Sequence, residues 1–388
     1  MKILFLTTRF PLPPIKGDKV RNLQLLRYVS REHDIDLISF ISKEERRYID
    51  DLRPYCRNIE TVTHSKIEGV VRILWNFFSA KPFQVSYYES SEMKKKIRRR
   101  LDESSYDVVV VSLLRMIGNL PGDINPPLFG DFGDSMILNF ERRLEKEKFL
   151  LKLIVWEEVR RLKKFERKVC QNLDKVALVS EKDARNIGSP NCVVIPTGVN
   201  TDVFRPDKSL REDLKIIFTG NMGYFPNIDA VLYFTREIFP SIRREIPNVK
   251  FEIAGVNPSP KIKKLYDTPH VNIVGYVESM PDFINTGTVY VAPIRCGSGV
   301  QNKVLEAMAC GVPVVLTYMA CAGIKAEPGR DFLLADSKNE FVENTVKLLK
   351  DPEARENLSK NALEFIKKNY TWEATGGMFE QSIRDLEK

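Results

Sequence analysis

The run Val291-Ala-Pro-Ile-Arg-Cys-Gly-Ser-Gly-Val-Gln-Asn-Lys-Val-Leu-Glu-Ala-Met-Ala-Cys-Gly-Val-Pro-Val-Val315 concentrates residue types that hold phosphate. An apolar segment ends at Pro293, a loop with Gly297 and Gly299 follows, and a helix is expected from near Val300 to Gly311. Glycines let successive backbone N–H groups converge, and a helix start adds partial positive charge, so the turn suits an anion. Arg295 and Lys303 flank it with full charges. Arg295 can offer two parallel hydrogen bonds and Lys303 a point charge, enough together for a diphosphate. Glu306 follows Lys303 by one turn, an acceptor-only group suited to the hydroxyls of a ribose. The plainer account is a strand-to-helix turn with a surface Lys303–Glu306 pair; finding Arg295, Lys303 and Glu306 in one unit favours the anion site. The turn matches neither G-K-[ST] nor G-x-G-x-x-G, because Asn302 occupies the last glycine position.

Other candidates carry less. The six cysteines, Cys56, Cys170, Cys192, Cys296, Cys310 and Cys321, are far apart, and the histidines are only His33, His64 and His270. That spacing excludes a zinc framework and a disulfide scaffold and fits a reducing compartment. The acidic triplet Asp34-Ile-Asp36 enters an expected strand and reads as a cap and an edge residue, so no metal is expected. In Phe129-Gly-Asp-Phe-Gly-Asp-Ser135, Asp131 or Asp134 could orient or deprotonate a hydroxyl, or simply form Asx turns. The loop Pro14 to Arg21 is basic around Gly17, which permits close approach of a ligand or is merely solvated.

The elements that would position these residues alternate along the chain. Apolar runs near 2–7, 35–40, 107–112, 176–179 and 192–195 form one series of strands. Runs near 214–219, 249–254, 271–274, 288–292, 312–316 and 331–334 form a second. Segments of helical period separate them, the βαβ pattern of parallel sheets covered on both faces. Two Rossmann-like units in tandem fit better than one large sheet. The turn-rich segment Ile195 to Pro206 divides them, giving expected domains at 1–205 and 206–369. Ligands of such sheets bind beyond the carboxyl ends of the strands, so a cleft between facing units is the expected site.

A chain of 388 residues with 43% hydrophobic and 29% charged residues is long enough for two full cores. No apolar run approaches the length of a membrane span, and the start at Lys2 to Thr7 is too short for a secretory leader, so a cytoplasmic protein is expected. Residues 1–200 hold 36 Lys+Arg against 27 Asp+Glu, an asymmetry that points to an anionic partner. Two basic segments stand out: Lys94 to Arg100, and a helix expected over Glu141 to Val169. On that helix Leu151, Val155, Val159, Leu162, Phe165 and Val169 form a stripe among six Lys and Arg residues. It either packs on a core or meets anionic lipid.

The run Gly299 to Val315 resembles the donor-site signature of retaining glycosyltransferases of the two-Rossmann GT-B fold, family four. It is most similar to the branch that makes bacterial exopolysaccharide. Ile195-Pro-Thr-Gly-Val-Asn200 and Phe218-Thr-Gly-Asn-Met-Gly-Tyr-Phe-Pro-Asn-Ile-Asp-Ala230 extend the resemblance over most of the chain. The resemblance implies an α/β GT-B architecture, with a C-terminal helix at 370–388 crossing back to the first domain. It implies a hexose moved from a nucleotide-sugar donor, UDP- or GDP-linked, to a carbohydrate or lipid-linked acceptor in cell-surface polysaccharide assembly. No resident cofactor is implied. The donor site would comprise Gly17, Gly220, Asn221, Tyr276, Val277, Ser298, Gly299, Val300, Gln301 and Glu306. Arg295 and Lys303 would take the diphosphate, the Gly299 to Gln301 amides would face it, and the backbone at Tyr276 and Val277 would take the base. Asp131 and Asp134 would lie on the acceptor side. Two departures are visible: many relatives have a glutamate where this chain has Ser298, and an Arg and a Lys where it has Asn221 and Asn227. A nucleotide-sugar epimerase of the same fold would need carboxylates crowded at the anomeric carbon, and Ser298 weakens that reading. A donor binder without turnover is a further alternative. A nucleic-acid-binding protein would explain the basic half, but the basic residues lack interleaved aromatics or a groove-reading helix, so no nucleic acid is expected.

Overall fold

The computed structural model describes residues 1–146, 149–296 and 300–387. The chain divides into two compact units, Met1–Pro196 joined by the residues from Thr375 onward, and Thr197–Ala374. The break falls earlier than the density of turn formers suggests. Val199 bridges Thr371, and Phe204 packs on the core of the second unit.

The first unit holds a seven-stranded parallel sheet. Its strands are β1 (Lys2–Thr7), β2 (Asp34–Ile41), β3 (Asn58–Thr63), β4 (Val108–Ser112), β5 (Leu128–Gly133), β6 (Lys175–Leu178) and β7 (Cys192–Val194). They lie in the order β3-β2-β1-β4-β5-β6-β7. Ile3 and Phe5 enter one apolar cluster and Leu4 and Leu6 another, because successive side chains leave opposite faces of a strand and both faces are covered. Two of these strands were not expected. In β3, Asn58, Glu60 and Thr61 make the run polar, which an edge strand tolerates. In β5, Gly130, Asp131 and Gly133 lower strand propensity, and the segment expected to turn instead pairs with β4 and β6. A side chain at Gly130 would lie 2.9 Å from Leu173 and Phe132, so the glycine is there for packing. From Thr375 the chain rejoins this core: Phe379 and Ile383 are fully buried, and the Phe379 ring lies 5.1 Å from Phe129.

The second unit holds a six-stranded parallel sheet in the order β10-β9-β8-β11-β12-β13. Its strands are β8 (Lys215–Thr219), β9 (Lys250–Ala254), β10 (Val271–Gly275), β11 (Val289–Ala292), β12 (Val314–Leu316) and β13 (Leu333–Leu334). The Val/Ile-rich strands β8, β11 and β12 are buried along their whole length, as central parallel strands must be. In both sheets the chain reverses its direction of travel across the sheet once, between β1 and β4 and between β8 and β11. At such a point helices leave to opposite faces and a crevice opens beyond the carboxyl ends of the strands.

Candidate active site

In the second unit the expected residues gather at that crevice. Strand β8 ends at Thr219 and turns through Gly220, whose φ of 153° favours glycine. A side chain there would lie 2.6 Å from the Asn227 amide and 3.0 Å from Lys303 Nζ. Gly255, which follows β9, backs onto the same turn so closely that a Cβ would fall 1.6 Å from the Gly220 carbonyl oxygen. Two crossing glycines therefore let Lys303 reach across the end of β8. Its ammonium donates to Asn227 Oδ1 and lies 4.8 Å from the Phe218 ring centroid, while Asn227 Nδ2 donates to the Asn221 carbonyl at 3.0 Å.

Lys303 opens the helix Asn302–Ala309, beginning slightly later than expected, with Gly311 at φ 62° closing its far end. The cap residue Gln301 makes no side-chain cap bond, and since the Asn302 and Val304 amides donate to the Val300 and Gln301 carbonyls, the Lys303 amide is the first-turn donor that can face an anion. Burial holds the Lys303 ammonium down at about 8, against a smaller opposing pull from Glu306. Burial likewise pushes the Glu306 carboxyl up to about 7, against the pull of Lys303. Lys303 and Glu306 form no surface ion pair; the lysine takes Asn227 instead. A partly buried ammonium that lacks a carboxylate within pairing distance among the described residues is poised for an incoming anion.

Arg295, beyond the end of β11, binds Asp229 through Nε at 3.0 Å and Nη2 at 2.7 Å and stacks 4.2 Å over Tyr233. This hydrogen-bonded pair raises its pKa. The two-pronged grip expected for a diphosphate is thus spent on Asp229, which leaves Nη1 as the edge of the fork that can face one. Asp229 and Tyr233 lie one turn apart on the helix Phe225–Tyr233. Neither was singled out from the sequence, although an acid and an aromatic at i,i+4 in an apolar helix mark a shared face. Gly220, Asn221, Val300, Gln301 and Glu306 lie on the same unit, as do Tyr276 and Val277, which follow β10 at this edge of the sheet. Tyr276 is exposed and Val277 packs on the core. Ser298 and Gly299, with Gly297, lie outside the described residues.

In the first unit the two aspartates separate in role. Asp131 is 2% exposed and both carboxylate oxygens are engaged by Arg21, through Nε at 3.0 and 2.9 Å and Nη2 at 2.8 Å. Arg21 Nη1 donates to the Pro196 carbonyl at 3.0 Å. Asp131 therefore ties the helix Gly17–Val29 to the sheet, with both of its oxygens engaged by Arg21. Asp134 is exposed just past the end of β5. A side chain at Gly17 would meet nothing within 4 Å, so no close approach requires that glycine.

A cavity of about 530 Å³ lies at the carboxyl edge of β1, β2 and β3, lined by Arg9, Lys16, Lys19, Arg47, Lys66 and the aromatics Tyr48, His64, Tyr87 and Tyr88 among others. The sequence reading missed its aromatic wall, in which the His64, Tyr87 and Tyr88 ring centroids lie 4.8 to 5.2 Å apart. The Asp34-Ile-Asp36 triplet places its carboxylates apart: exposed Asp34 pairs with Arg57 at 2.9 Å, whereas buried Asp36 accepts from Tyr106 at 2.6 Å and Asn58 at 2.7 Å. The basic run Lys94 to Arg100 is largely neutralised, with Arg98 on Asp123 and Arg99 and Arg100 on Glu60. Among the described residues no three His, Cys, Asp or Glu side chains cluster as metal ligands, and no helix is long and apolar enough to cross a membrane.

Residues 213–351 match the family of glycosyl transferases group 1. Along 95% of the chain and 96% of the relative, the sequence is 23% identical to a 44.6 kDa protein of the cps region of Klebsiella pneumoniae. The structure is similar to sucrose-phosphate synthase of Thermosynechococcus elongatus, at a TM-score of 0.71 and 16% identity over 100% of this chain and 99% of that one. It is also similar to the Anabaena protein HepE in complex with UDP, at 0.66 and 13% over 99% and 100%. The two structural likenesses carry the architecture, and the family match covers the segment that holds Gly220, Arg295, Lys303 and Glu306. Residues 213–351 thus carry the group 1 glycosyl transferase domain, and the chain as a whole has the two-domain α/β architecture of the GT-B glycosyltransferases.

Proposed function

We propose that the enzyme moves a hexose, with retention at the anomeric carbon, from a UDP- or GDP-linked donor to a carbohydrate or lipid-linked acceptor during assembly of a cell-surface polysaccharide. The observation that carries this reading is the partly buried Lys303 ammonium, held by Asn227 against the glycine turn that ends β8. When the bond between the anomeric carbon and the diphosphate oxygen breaks, the electron pair and negative charge stay on the diphosphate. Fixed cations and N–H dipoles in a site that excludes water stabilise that charge. Lys303, Nη1 of Arg295 and the uncapped start of the helix Asn302–Ala309 supply them, so transfer proceeds without a divalent cation and without a resident cofactor. Glu306 accepts from the ribose hydroxyls, and the backbone at Tyr276 and Val277 receives the base.

On the acceptor side, the aromatic and basic cavity at β1–β3 takes the acceptor glycan, and Asp134, on the same sheet edge, orients its hydroxyl. HepE with bound UDP supports a uridine donor, and the Klebsiella relative of the cps region supports a capsule-like product. The protein works in the cytoplasm, at the inner face of the membrane, where six free cysteines stay reduced. The test is turnover of UDP- and GDP-hexoses in EDTA, with release of nucleoside diphosphate and product anomericity read by NMR. An α-linked product from an α-linked donor supports retention; an inverted product overturns it.

A further inference from the structure

The helix Lys66–Trp75 is built inside out. Ile67, Val70, Val71, Leu74 and Trp75 follow the i, i+3, i+4, i+7, i+8 spacing of a core-facing stripe. Yet all five are exposed, Ile67 at 78% and Trp75 at 87%. What the helix turns inward is Gly69, the one buried residue, whose missing side chain makes room for the Tyr87 ring; a Cβ would lie 2.7 Å from it. The turn that follows adds Phe77 and Phe78, the latter 97% exposed.

A second apolar stretch lies beside it. Leu151, Leu153, Ile154 and Trp156, at the start of the helix Phe149–Asn172, are all exposed, although the stripe that Leu151 begins goes on to bury Val155, Val159 and Leu162. Glu158 and Arg161, one and two turns further along, clamp the turn after Trp75. The Arg161 guanidinium donates to the carbonyls of Asn76 at 3.1 Å, Lys81 at 3.0 Å and Phe77, while Glu158 accepts from the backbone of Phe83 at 2.6 Å and Gln84 at 2.9 Å. Leu151 and Ile154 share a helix face with Glu158 and Arg161, so they flank the clamped turn that carries Phe77 and Phe78. Leu151 and Ile154 thereby extend the exposed apolar surface of the first helix and its turn.

The charge on its margin selects the occupant. Lys66 and Arg72 lie on the first helix, Lys152 stands among the exposed apolar residues of the second, and Lys164, Arg167 and Lys168 continue beyond it, while Arg160 and Lys163 are held by Glu157 and Glu141. Residues 149–172 carry seven Lys and Arg against three Glu. Large apolar side chains bounded by Lys and Arg match the layered chemistry of an anionic bilayer, with hydrocarbon beneath phosphate. We infer that the first unit docks on an anionic phospholipid surface, inserting Ile67, Leu74, Trp75 and Phe78 together with Leu151 and Ile154. The inference gives a site to the membrane location proposed above and rests on that reading for its purpose, because Lys66 and Tyr87 also line the acceptor cavity. A lipid-linked acceptor would then meet the enzyme where the chain enters the bilayer.

The test is co-sedimentation of the full chain with vesicles of phosphatidylcholine alone or mixed with phosphatidylglycerol, with UDP-induced thermal stabilisation measured on every variant. Binding to the anionic vesicles, falling with salt and lost by about tenfold or more in both Trp75→Ser/Phe78→Ser and Leu151→Ser/Ile154→Ser, is the expected result. Unchanged melting and UDP shift in those variants keep the donor-site reading separate. Equal sedimentation of the variants, no binding to anionic vesicles, or a dimer in light scattering that the substitutions dissociate would each overturn the inference.

Discussion

Lys303 and Glu306 titrate toward one another, and the sign of each effect follows from its own shift. Glu306 holds its proton to about 7 in the fold against 4.5 in the open chain, so the native state binds more protons in that window and stability falls as pH rises through it. Lys303 loses its proton near 8 in the fold against 10.5 in the open chain, so stability rises again above 8. Ligand-free enzyme should therefore show a shallow minimum between about pH 7 and 8. Urea midpoints across pH check this, with Glu306→Gln removing the falling limb and Lys303→Met the rising one. Diphosphate binding should weaken as pH passes 8 and Lys303 discharges, by about tenfold per unit at most, and Lys303→Arg should flatten that slope. Lys303→Ala should lower turnover about a hundredfold or more, the cost of one preorganised donor at a developing charge. Arg295→Ala should cost only about tenfold, because Asp229 already holds two of its donors. The aspartates divide the other way. Asp131→Asn should destabilise the protein by about 3 to 5 kcal/mol by leaving Arg21 buried without its counter-charge. Asp134→Asn should slow transfer.

At the scale of the element, the glycine turn after β8 is the part that cannot be altered. Gly255→Ala drives a methyl into the Gly220 carbonyl, so loss of more than about 4 kcal/mol or outright failure to fold is expected. Gly17→Ala meets open space and should shift stability by less than about 0.5 kcal/mol. Urea unfolding of both separates a structural glycine from a permissive one. The difference also marks what a sequence can tell. Strands β1, β4, β8 and β11 were legible because central parallel strands are apolar along their whole length. Strand β5 was not, because Gly130 is set by Leu173 and Asp131 by Arg21, partners 43 and 110 residues away in the chain. Lys303 and Arg295 were legible from their neighbours in the chain, whereas Asp229, which takes the arginine's fork, is 66 residues away. The helix Lys66–Trp75 has the period of a core helix, and only the burial of Gly69 reveals that its stripe faces outward.

At the scale of the molecule, two sheets of the same plan each reverse their order once, and each reversal collects a different chemistry. The second unit brings cationic and N–H donors to the end of β8, and the first brings aromatic and basic side chains to the ends of β1 to β3. The basic excess of residues 1–200 is not one field. Arg98, Arg99 and Arg100 are consumed by Asp123 and Glu60, while the helix Phe149–Asn172 keeps a net positive charge and carries exposed Leu151 and Ile154. The central claim is that the partly buried Lys303 ammonium receives the diphosphate of a nucleotide sugar. Isothermal titration of UDP and GDP into the full chain in EDTA, repeated with Lys303→Ala, tests it most directly. Binding of one nucleotide without a divalent cation, weakened about tenfold or more by the substitution, is the predicted result. Absence of binding by both nucleotides, or equal binding by the variant, would contradict it.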